Sequence, residues 1–222
     1  MAADDTWMEF EELKAMPAVA HRFILRQPGI EVHGSREEMI RRLWKVHVRH
    51  LHELGFDETQ LAVAEQVHGG EVAVVGARTP PRHCAPGADG LITNVPGRIL
   101  GIYVADCCAV FLVDEHAGSI GLVHSGRKGS EAGIVGTAIA RMVSEHGADP
   151  ARMMVRLSPC IRPPRYEVDF AEWIRRDAVK AGVPPQRVID DGACTGTDPG
   201  RFYSYRMEKG QTGRMLALLG LR

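Results

Sequence analysis

A chain of 222 residues that is 45% hydrophobic and 25% charged can bury a substantial core and is sized for one large domain. Its 27 Lys and Arg stand against 28 Asp and Glu, a net charge of -1, which lacks the basic surplus of a nucleic-acid binder and leaves small-molecule partners open. The five cysteines are an odd number in a chain too large to need staples, so they read as reduced thiols or ligands.

The acidic start, Met1 to Pro17, lacks the basic head and apolar stretch of a signal peptide, and a cytoplasmic location is expected. Ser35 with Glu38 forms a capping box, after which Ile40, Leu43, Trp44, His47, Leu51 and Leu54 recur at helical spacing. Gly55 stands where that helix should end, and Arg41, Arg42, Lys45, Arg49 and His52 make its solvated face. From Leu61 to Met154 the pattern turns to short β-rich runs punctuated by turn residues. The predicted strands are Val72–Val75, Leu91–Thr93, Ile99–Val104, Ala109–Val113, Ile120–Val123 and Met153–Leu157. Further helices are predicted near Glu131 to Glu145, over Ala171 to Lys180 and over Thr212 to Leu219. Ile99 to Val113, the longest apolar stretch, is broken by Asp106 and too short for a membrane helix. No repeat or linker composition appears, so residues 1–222 are expected to form one α+β domain: a layered α/β sandwich with a mixed central sheet and flanking helices.

Two segments carry chemistry. Val104-Ala105-Asp106-Cys107-Cys108 ends an apolar strand in a carboxylate and two thiols, and Leu122 to Gly129 runs a strand through His124 into a basic, Gly-rich turn. The turn residues Asp114 to Ser119 predict a hairpin pairing Val113 with Ile120 and Ala109 with His124. In that register Cys107 and His124 share a face as diagonal neighbours, about 7–8 Å apart at Cα, within joint reach of one ion. A one-residue slip would separate them. Taken singly, a strand-end Cys is also simply a small buried hydrophobe, and the chain has ten His. Gly126, Lys128 and Gly129 ahead of a helix offer either an anion site or a plain connection, and the spacing of a P-loop is absent.

The chain resembles a family at six ordered pieces: Gln66-Val67-His68-Gly69, Ala88-Asp89-Gly90-Leu91-Ile92-Thr93, Ala105-Asp106-Cys107, His124-Ser125-Gly126-Arg127-Lys128-Gly129, Pro159-Cys160-Ile161 with Tyr166-Glu167-Val168, and Phe202 to Arg206 before Thr212-Gly213-Arg214-Met215. In order and spacing they are similar to the YfiH-type or laccase-domain proteins, also labelled polyphenol oxidases, over about Gln66 to Met215. The resemblance implies a metal held by His68, Cys107 and His124, with zinc favoured over copper. It implies phosphorolysis of purine nucleosides and adenosine deamination, in a family earlier credited with copper-dependent phenol oxidation. Asp106 is then a proton shuttle, or else a strand-end cap or the holder of a ligand His; Arg127 and Lys128, joined by Arg26, would bind phosphate; Cys160 would line the pocket. A monomer or small homo-oligomer is expected.

The chain departs from the family pattern at several points. Arg127 replaces a Trp, Lys128 an Arg and Ser158 a Gly; Cys108-Ala109 replaces an apolar residue and Pro; and roughly the first 60 residues match poorly, leaving 61–222 as the motif-bearing core. Two other readings stay open at this stage. One is a Cys–His hydrolase or amidase, including an editing role on cell-wall precursors, with Cys107 as nucleophile and His124 as base. The other is a metal-stabilised binding protein whose catalysis has decayed.

Overall fold

Two mixed sheets of six strands each build the computed structural model, which describes residues 6–222. The first five residues of the acidic start lie outside the described residues. One sheet runs β1 (Trp7–Met8), β2 (Val19–Ile24), β12 (Met215–Leu221), β7 (Ile99–Val104), β3 (Leu61–Ala64) and β5 (His83–Ala85). The other runs β11 (Val188–Ile189), β10 (Met154–Leu157), β8 (Cys108–Asp114), β9 (Ser119–Ser125), β6 (Gly90–Thr93) and β4 (Val72–Val74). The helices are α1 (Glu11–Lys14), α2 (Arg36–Glu53), α3 (Arg127–Glu131), α4 (Ile134–His146) and α5 (Phe170–Lys180).

Strand alternation sets the layers. Ala109, Phe111 and Val113 of β8 join Ala217 and Leu219 of β12 in the core between the sheets. The intervening Cys108, Val110 and Leu112 belong to the core under α4 and α5. On the other sheet Leu216 and Leu218 pack with Leu51 and Leu54, beneath and just beyond α2. The order is therefore helix, sheet, sheet, helix. The α+β class expected from the sequence is what forms, but the single central sheet is corrected to two.

The capping box forms as predicted: the Glu38 N–H donates to Ser35 Oγ at 3.2 Å and the Ser35 N–H to Glu38 Oε2 at 2.8 Å. Gly55 leaves α2 at φ +88°, a conformation that glycine adopts without strain. The β8–β9 register is the predicted one, with Val113 opposite Ile120 and Ala109 opposite His124. The helix expected near Glu131 to Glu145 forms as α4, and Gly133 at φ +69° separates it from the five-residue α3 that the basic turn opens.

The helix expected over Thr212 to Leu219 is a strand. β12 lies inside its sheet, hydrogen-bonded to β2 and β7 and buried along its whole length. A strand apolar on both faces has no two-residue period, and its Met, Leu and Ala favour helix locally, so tertiary pairing overrides propensity. Strands β1, β2, β3, β5 and β11 also lie outside the predicted set. Among the described residues no helix is long and apolar enough to cross a membrane, and all five cysteines are free.

Candidate functional site

Strand β7 leaves the first sheet through Ala105, Asp106 and Cys107 and enters the second as β8. Cys107 thereby sits beside the end of the hairpin, next to His124 of β9, while His68 arrives on the loop after β3. One ligand atom each from His68, Cys107 and His124 lies within 4.8 Å of the others. The two imidazoles meet edge to face with centroids 4.9 Å apart. His68 is exposed, Cys107 half-buried and His124 buried, so the cluster opens towards solvent on the His68 side.

Asp89, fully buried just before β6, organises this cluster. Its carboxylate accepts the backbone N–H groups of Val67 at 3.1 Å, His68 at 2.9 Å and Gly69 at 2.7 Å. It also accepts His124 Nδ1 at 2.8 Å, which leaves Nε2 as the ring nitrogen free to act as a ligand. One side chain therefore orients one imidazole and ties down the loop carrying the other. That loop holds Gln66 and His68 at φ +64° and +62°, left-handed conformations that cost about 1 kcal/mol each for residues with a Cβ. Gln66 adds a second anchor: its Nε2 donates to the Tyr103 carbonyl at 2.6 Å and its Oε1 accepts the Tyr103 N–H at 2.9 Å.

Electrostatics favour a thiolate beside an imidazolium. Burial alone would raise the Cys107 pKa, but His124 and His68 outweigh it and bring it down to about 6. Burial likewise opposes the charged form of His124, yet the Cys107 thiolate and Asp89 bring its pKa up to about 9. Asp89 is held below the ordinary carboxylate range because the His124 bond and the backbone N–H donors overcome its desolvation. The donor set fits a metal: two imidazole nitrogens and a thiolate around a tetrahedral zinc stand about 3.5 Å apart and leave a fourth position open. A modest contraction from the 4.8 Å limit would close them on an ion. Copper accepts the same donors. Gly126 makes room for the thiol, since a Cβ there would stand 2.5 Å from Cys107 Sγ.

The cluster opens into a cavity of about 760 Å³. Of the residues singled out in the sequence, Asp106, Arg127 and Lys128 line it together with the three donors, whereas Arg26 and Cys160 are not on its wall. Arg26 pairs with Glu208 at 2.6 Å and stacks over Tyr203. Cys160 is fully buried, and the neighbouring Cys108 thiol together with burial pushes its pKa well up. Asp106, at φ +80°, has both carboxylate oxygens engaged, by Thr195 Oγ1 at 2.7 Å and the Arg206 N–H at 2.7 Å. Asp106 therefore holds the buried Thr195 and the Arg206 backbone, while the carboxylate that holds a ligand His is Asp89.

Several wall residues had no part in the sequence-based site. Arg36, Arg206, Lys209 and Arg214 add positive charge, and Tyr103, Tyr166 and Tyr205 add aromatic surface. Asp89, Arg206 and Arg214 lie within the motif pieces, so their positions were visible although their roles were not. Arg36 follows the capping Ser35 and carries no local signal linking it to a site about thirty residues further on.

Residues 35–171 and 166–222 match the family model described as multi-copper polyphenol oxidoreductase laccase. A purine nucleoside phosphorylase of Deinococcus radiodurans is 33% identical over 238 residues, covering 92% of this chain and 90% of that protein. One of Streptomyces coelicolor is 40% identical over 139 residues, covering 63% of this chain and 55% of the relative. The crystal structure of YlmD from Geobacillus stearothermophilus superposes with a TM-score of 0.81 at 25% identity, covering 93% of each chain. That of Bacillus licheniformis YfiH superposes at 0.83 and 22% identity, covering 99% of this chain and 98% of the other, a likeness of fold.

Proposed function

Because the chain belongs to the multi-copper polyphenol oxidoreductase laccase family, we propose that it cleaves purine nucleosides by phosphorolysis at a metal-dependent site, with adenosine deamination as a second reaction there. The observation that carries the reading is the placement of the His68, Cys107 and His124 donors in a cavity walled by cations and tyrosines. The relatives named purine nucleoside phosphorylases support it. The ion is taken to be zinc, and the protein a single cytoplasmic domain working as a monomer or small homo-oligomer on free metabolites.

In phosphorolysis a phosphate oxygen bonds to C1′ while the C1′–N9 bond breaks, and the base leaves with the electron pair and takes up a proton. When bound, zinc supplies a Lewis acid at the His68–Cys107–His124 corner of the cavity. The chain itself contributes positioning. Cations of the wall bring phosphate up against its own charge, and Tyr103, Tyr166 and Tyr205 offer surface to a purine ring. Asp106, anchored by the buried Thr195, holds the backbone of the wall residue Arg206 and acts as a positioning residue.

The test is incubation with adenosine and with inosine, each with and without phosphate, followed by product analysis. Pentose 1-phosphate formed only with phosphate is expected, together with inosine from adenosine in its absence. No turnover of any purine nucleoside by the zinc-loaded protein sinks the reading. One equivalent of zinc should be lost, with activity, in Cys107→Ser.

A second reading has its own observation. Cys107, His124 and Asp89 stand in the order of a nucleophile, a base and the carboxylate that orients the base. Hydrolase or amidase activity in metal-free protein, abolished by alkylation at Cys107, would favour it. Activity that requires zinc would reject it.

A further inference from the structure

The cations of the cavity fall into two groups. Arg127 and Arg206 are exposed and already neutralised, by Glu131 at 3.0 Å and by Glu167. Lys128 and Lys209 are also exposed and lie in reach of bulk water. Arg36 and Arg214 differ from all four: both are half-buried on the wall, and among the described residues neither forms an ion pair with a carboxylate. The guanidinium of Arg214 donates through Nη1 to its neighbours' carbonyls, Thr212 at 3.1 Å and Gly213 at 2.9 Å. Among the described residues Arg36 Nη2 donates to Gln66 Oε1 at 3.3 Å, and Gln66 is itself locked to the Tyr103 backbone.

Both guanidiniums are thus held in place by neutral acceptors and keep donors free. They also oppose each other: burial, then the charge of Arg36, pulls the Arg214 pKa down, and Arg214 feels the opposite charges of Cys107 and Asp106. Half-buried like charges without a counterion are unfavourable unless an anion completes them. Planar guanidiniums match the paired oxygens of a phosphoryl group and bind it bidentately.

We infer that Arg36 and Arg214 form the phosphoryl-binding subsite of the cavity, taking a tetrahedral dianion between them beside the His68–Cys107–His124 cluster. The inference rests on the phosphorolytic reading for its substrate, inorganic phosphate, but the binding it asserts stands apart from turnover. It moves the anion site away from the basic turn at Arg127 and Lys128 to two other segments of the wall, the start of α2 and the approach to β12. A nucleoside 5′-monophosphate carries the same dianion, so the source has to be separated by experiment.

The test is titration of the zinc-loaded protein with inorganic phosphate, and separately with adenosine 5′-monophosphate, followed by calorimetry. Arg36→Gln and Arg214→Gln should each weaken phosphate binding about tenfold or more, while Arg127→Gln and Lys128→Gln change it less than threefold. Unfolding midpoints check that the variants fold, and Arg214→Gln is expected at or above the parent because a repulsion is removed. Tight phosphate binding with weak monophosphate binding assigns the subsite to the free ion, and the reverse assigns it to a nucleotide substrate. Unchanged phosphate affinity in Arg36→Gln and Arg214→Gln, or a larger loss in the Arg127 and Lys128 variants, overturns the inference. Phosphate binding lost in these two variants of a protein that turns over no nucleoside leaves the subsite standing and rejects the phosphorolytic reading.

Discussion

The two sides of the cavity are built differently. The donor side rests on the β8–β9 hairpin and on Asp89, whose oxygens take the Val67, His68 and Gly69 N–H groups and the His124 ring. The cationic part of the wall comes from the start of α2 and the segment leading into β12, a strand that pairs back to β2 with Leu221 opposite Val19. The donor loop and the His124 ring are tied to one carboxylate, whereas Arg36 and Arg214 have no carboxylate partner among the described residues. One part is held by its own hydrogen bonds; the other offers charge to an incoming anion.

The largest expected effect comes from removing the anchor of the donor side. Asp89→Ala strands three backbone N–H groups and frees the His124 ring, so both the His68 loop and the His124 tautomer lose their constraint. A loss of about 3 kcal/mol or more in urea unfolding is expected, together with loss of bound zinc. A variant that keeps its zinc would show that Asp89 is not what holds the donors.

Two glycines sharpen the contrast. A Cβ at Gly126 would meet Cys107 Sγ at 2.5 Å, and one at Gly220 would meet Phe56 Cζ at 2.5 Å. Gly126→Ala should displace the thiol and lower zinc affinity at least tenfold, with a smaller effect on folding. Gly220→Ala crowds the core of the other sheet and should cost about 1–3 kcal/mol of stability. Its zinc affinity should match the parent, as measured by chelator competition. Equal loss of zinc in both variants would mean that the two regions are mechanically coupled.

Buried histidines on the β2 and α2 side give a pH signature separate from the donor cluster. Burial, followed by the charge of Arg22, lowers the His21 pKa from 6.5 to about 4, and burial lowers that of His47 to about 3. His21 Nε2 accepts the Phe10 N–H at 2.7 Å, which requires the neutral ring, and neither His47 ring nitrogen has a hydrogen-bond partner among the described residues. Both folded values are depressed, so their contribution is fully present above pH 6.5 and is lost as the pH falls towards 4 and then 3. Each should steepen that loss by up to about 1.4 kcal/mol per pH unit. His47→Phe should flatten the acid limb of a stability–pH curve, and an unchanged limb would assign the loss to other groups.

The same contrast explains what could be read from the sequence. α2 announced itself by its capping box and spacing, and the hairpin register followed from symmetric pairing of two apolar runs about a short turn, all within a few residues. His68 could be joined to Cys107 and His124 only through the resemblance, because nothing local brings the loop after β3 to the hairpin. β12 was misread because burial on both faces erases periodicity. Arg36 and Arg214 stayed hidden because a cation's missing partner is a property of the assembled wall. Arg26 and Cys160 differ in the opposite direction: the resemblance suggested the cavity for both, but Glu208 with Tyr203 holds the one and the core encloses the other.

The smallest expected effect is at Arg127, the residue that departs most visibly from the family's Trp. Its guanidinium is exposed on α3 and pairs with Glu131 one helical turn away. Exposed pairs of this kind contribute little, and salt screens even that. Arg127→Ala should therefore leave the urea unfolding midpoint unchanged at moderate salt. A Trp at this position would instead cover the cavity rim with an aromatic face, and Arg127→Trp should lower the KM for a purine nucleoside with little change in stability. If Arg127→Ala proved as damaging to phosphate affinity as Arg214→Gln, the division between the donor cluster and the guanidiniums of Arg36 and Arg214 would have to be redrawn to include α3.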